Sequence, residues 1–81
     1  MQIKTFRPVQ HDGMIDIEVI AVDDAGATIT CAAQLTKDLS DIRAVTWDEK
    51  AVVTEELLAF MRREVRAYIK ENLAKLADSL A

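Results

Sequence analysis

A chain of 81 residues with one cysteine, one histidine and a formal net charge of -4 holds a single hydrophobic core at most, and it supplies neither a disulfide framework nor a complete zinc site. The acidic balance argues against nonspecific attachment to nucleic acid or anionic lipid, and no run of about 18 apolar residues offers a membrane span. The first eight residues lack the apolar run of a secretory signal, so the chain reads as cytoplasmic, with a free thiol suited to a reducing compartment.

The expected architecture is α+β: a small antiparallel sheet of three or four strands, built on a central hairpin and packed by a long C-terminal amphipathic helix. Residues 1–81 form one domain, with 1–53 mainly β and 54–80 helical. Gln2 to Phe6 is the first candidate strand, ending at Pro8 and turning through His11, Asp12 and Gly13. From Met14 to Leu35 the alternation is clearest. Ile15, Ile17, Val19 and Ala21 mark one face of a strand, and Ile29, Cys31, Ala33 and Leu35 repeat the pattern. Placing both sets on one face puts Val19 opposite Cys31 and Ala21 opposite Ile29. Asp24, Ala25 and Gly26 are then left as a three-residue loop, with Gly26 where a positive φ is needed.

Thr36 to Ser40 reads as a short helical connection. Ile42 to Trp47 fits a last strand, although Thr46 and Glu49 also match a helix-capping box. The strand is favoured because Thr54, Glu55 and Glu56 supply a second N-cap with acids in the first turn. Beyond it, Leu57, Leu58, Met61, Val65, Tyr68, Ile69, Leu73, Leu76 and Leu80 recur at steps of three and four, uninterrupted by glycine or proline. A helix over Glu55 to Leu80 would run about 39 Å, against about 30 Å for a nine-residue strand. An overhang carrying Leu73, Leu76 and Leu80 is therefore expected, offering a surface for self-association.

No constellation for catalysis, a metal or a cofactor emerges. His11 and Asp12 adjoin a turn without a nucleophile nearby, and Cys31 falls on the inferred core face, where a thiol packs as a small apolar group. Asp23 and Asp24 lack the spaced ligands of a calcium loop. Charge on the helix is more informative. Arg62, Arg63, Arg66 and Lys70 have no carboxylate three or four residues away within the helix, so they are left to acids of the sheet, to hydration, or to a partner's acidic patch or phosphate backbone. Phe60 falls off the apolar stripe and Trp47 is the only tryptophan; both join the basic residues as candidate partner contacts.

In size, acidity and absence of a catalytic set the chain resembles the small inhibitors and adaptors of bacteriophages and bacterial mobile elements, anti-CRISPR proteins among them. The resemblance is one of type and carries no residue across. It implies a noncatalytic protein-binding or regulatory module, an inhibitor or adaptor of a host protein complex whose partner is another protein, with a homodimer compatible. The competing reading is a nucleic-acid-associated regulatory factor using the basic helix face, which is weaker because the chain is acidic and lacks interleaved aromatics.

Overall fold

The computed structural model describes residues 1–80, except for the side chains of His11 and Leu80. It is a four-stranded antiparallel meander in the order β1-β2-β3-β4, followed by one long helix: β1 Gln2–His11, β2 Met14–Val22, β3 Thr28–Leu35, β4 Ile42–Trp47 and α1 Glu55–Leu80.

The central hairpin takes the register that the parity argument requires. Val19 pairs with Cys31 and Ala21 with Ile29. The Asp23 amide donates to the Ala27 carbonyl at 3.0 Å, closing the loop, and Gly26 has φ +84°. Asp23 adds its own support, because its carboxylate accepts the amides of Ala25 and Ala27 at 2.9 and 2.8 Å. The first hairpin is longer than expected. β1 continues through Pro8 to His11, since a proline on an edge strand breaks no ladder that a neighbour needs. Asp12 and Gly13, with φ of +50° and +74°, then turn the chain directly into β2.

All of the strongly buried side chains of β2 and β3 lie on one face: Ile15, Ile17, Val19 and Ala21 from β2, and Cys31, Ala33 and Leu35 from β3. The helix covers them with Leu57, Met61, Val65, Ile69 and Leu76. Each such side chain contributes about 1.5–3 kcal/mol when fully removed from water. Phe6 on β1 stacks on Tyr68, with ring centroids 4.7 Å apart, fixing the helix over the first strand. The opposite face of the sheet carries mixed side chains, among them the cross-strand pair Arg7 and Glu18 at 3.4 Å.

Thr54 caps the helix, accepting the Leu57 amide on its hydroxyl at 3.1 Å. At Asn72 the backbone leaves helical geometry (φ -118°, ψ 16°), and the Asn72 side-chain amide donates to the Tyr68 carbonyl at 3.0 Å. The expected overhang is only partly realised. Leu76 lies on the same side as Ile69 and is 2% exposed in the core, whereas Leu73 is 47% exposed. β1, with ten residues, is longer than the sequence reading allowed, and the helix leaves regular geometry just before Leu76, which packs into the core. Leu76 is therefore no self-association surface, and the Leu80 side chain lies outside the described residues.

Candidate functional site

The connection from β3 to β4 is not a helix. The carboxylate of Asp38 gathers it, accepting the hydroxyls of Thr36 and Ser40, each at 2.7 Å, and the Ser40 amide at 3.1 Å. The Thr36 amide donates to the Asp41 carbonyl at 3.0 Å, closing the loop on itself. Three donors on one exposed carboxylate, led by the Ser40 hydroxyl, hold Asp38 down to about 2 from an ordinary 3.8. Inside this knot Leu39 takes φ +61°, a conformation that costs a branched residue free energy, and it is held there by burial of its side chain.

Leu39 and its neighbours meet the helix. Arg66 Nε donates to Asp41 Oδ1 at 2.9 Å, joining loop and helix across 25 residues of sequence. That bond, followed by the one from the Ile42 amide, holds the Asp41 carboxyl below its usual range. Both partners are about half exposed, so solvent screening keeps the pair a weak contributor to stability. Between loop and helix lies an open groove of about 430 Å³, lined by Leu39, Ser40, Asp41, Arg66, Ile69, Lys70 and Leu73. Its apolar groups are Leu39, Ile69 and Leu73, and its charged groups are Arg66, Lys70 and Asp41. Lys70 is exposed and has no ion-pair partner among the described residues, so the groove keeps a net positive charge.

The structure divides the candidate residues rather than uniting them. Arg66, Lys70 and Leu73 share the groove. Arg62 is half-buried near Asp41, and its Nε has no hydrogen-bond partner among the described residues. Arg63 turns to the other side of the helix, with its guanidinium 5.5 Å from the centre of the Phe60 ring. Phe60 is half-buried against the core and borders a separate pocket with Met1, Thr54, Glu56 and Leu57. Trp47, opposite Cys31, also packs partly against the core. Cys31 is buried there, and burial pushes its thiol up to about 11, so it behaves as a neutral small side chain.

Leu39 and Asp41 escaped the sequence reading, although a lone leucine in the polar run Thr36–Asp41 is a usable signal of a loop that reaches the core. Among the described residues no three histidine, cysteine or acidic side chains gather as a metal site would need, and no helix is long and apolar enough to cross a membrane. What the groove offers chemically is noncovalent recognition of an apolar side chain next to negative charge. Comparison with protein-family models, with curated proteins and with solved structures finds no match for the chain.

Proposed function

We propose that the chain is a noncatalytic protein-binding or regulatory module, an adaptor or inhibitor of a host protein complex, which docks an acidic, apolar segment of another protein. The observation that carries this reading is the groove between α1 and the β3–β4 connection, where the exposed Leu73, backed by the buried Leu39 and Ile69, lies beside Lys70, which has no ion-pair partner among the described residues. Leu73 offers apolar contact, while a cation beside it selects for a neighbouring carboxylate and steers the approach. The arginine stripe favours a protein over a nucleic acid. Arg66 is already engaged by Asp41 and Arg63 lies on Phe60, so they do not form one continuous track for phosphates.

Affinity capture from the source cell or its host, with the wild type beside Lys70→Glu, tests the reading. Specific proteins retained by the wild type and lost from the variant are the expected result, with retention surviving moderate salt. Capture that nuclease abolishes and salt weakens steeply would overturn it in favour of nucleic acid.

A further inference from the structure

The connection from β4 to α1 presents Val52 at 82% exposed and Val53 at 44%, the former the most exposed large apolar side chain among the described residues. Asp48 and Glu49 precede them, Glu55 and Glu56 follow, and Lys50 is the one base among them. The segment thus carries the chemistry to which the groove is complementary: exposed branched aliphatic groups within net negative charge. The groove answers with the exposed Leu73, backed by the buried Leu39 and Ile69, beside Arg66 and Lys70.

Helical geometry sets the relation between the two. At 100° per residue Arg66 falls about 20° and Lys70 about 60° from Glu55 around α1, Lys70 about 22 Å further along its axis, and Leu73 follows just past the break at Asn72. Segment and groove therefore lie at opposite ends of one helix face. Two copies with antiparallel helices bring each segment to the other's groove, and a two-fold axis satisfies both contacts at once, which closes the assembly at a dimer.

Resting on the docking role proposed for the groove, we infer that a second copy of the chain is its occupant in the isolated protein, by reciprocal insertion of the Val52 segment and pairing of Glu55 with Lys70 across the interface. A foreign partner then gains the groove only by displacing this segment, so self-association regulates access to it.

Sedimentation velocity over a concentration series tests this with Lys70→Glu, Glu55→Lys and Val52→Ser, each checked for its fold by circular dichroism. The wild type is expected to self-associate and each variant to do so about tenfold more weakly or worse. The decisive sample is the equimolar mixture of Lys70→Glu with Glu55→Lys. In their heterodimer both contacts again join opposite charges, so association should return to near the wild-type level. A wild type that stays monomeric at roughly 0.5 mM, where even a weak transient interface assembles, overturns the inference. So does a mixture that associates no better than its components. If the wild type is monomeric while capture of another protein still depends on Lys70, self-docking is wrong and the binding role stands. Self-association rescued by the mixture, with capture indifferent to Lys70, has the opposite meaning.

Discussion

The Asp38 carboxylate makes its hydrogen bonds within its own loop, yet it shapes the wall of the groove, because three donors from Thr36 and Ser40 converge on it and fix the backbone that presents Leu39. Its folded-state value of about 2 lies below the ordinary 3.8, so the charged form is the one that the loop stabilises. A depressed acid contributes stability above its unfolded value and loses it as pH falls through the folded one. Asp38→Asn should therefore unfold at lower urea than the wild type near neutral pH, and the gap should close as pH falls from about 4 toward about 2. A gap unchanged across that range would mean that the loop responds to the shape of the side chain and not to its charge.

Along the helix, neighbouring positions have opposite duties. Val65 is 0% exposed against the sheet, whereas Arg66 reaches outward to a half-exposed partner. Val65→Asp and Leu76→Lys each place a charge in the core and should cost more than about 3 kcal/mol or prevent folding, while Arg66→Glu, at a half-exposed pair, should cost much less. Circular dichroism melts of the three distinguish these outcomes, and an equally damaging Arg66→Glu would make the Asp41 link a structural brace. Much of this element was legible in the sequence. Thr54, the acids after it and the three-four spacing locate the helix start and its buried face, and Gly26 with strict alternation fixes the hairpin register. Local signals end where tertiary contacts begin. Pro8 reads as a strand end unless the strand is known to be an edge, and whether Leu76 overhangs or is covered is settled by packing that its own periodicity does not encode. The groove was only half legible. Its basic residues stand out because they lack helical partners, but Leu39 and Asp41 join them through a contact that no periodicity encodes.

For the molecule as a whole, size and association are linked. An 81-residue chain buries only roughly 60 to 65 per cent of the surface that its unfolded form exposes, so a second copy makes up a larger fraction of its stability than it would for a larger domain. If two chains exchange their Val52 segments, folding is coupled to association, and mass action must raise the melting temperature with protein concentration. For a domain of this size each 1 kcal/mol gained moves the midpoint by about 4–8 °C, so a hundredfold increase in concentration should give a rise of several degrees. Val52→Ser separates this from any effect within one chain, because a side chain 82% exposed contributes almost nothing to the monomer's own core. Its melting temperature should match the wild type in the dilute limit and begin to rise only at concentrations at least about tenfold higher. A variant lower than the wild type by the same amount at every concentration would place Val52 in the stability of the single chain, and a flat wild-type curve would uncouple folding from association altogether.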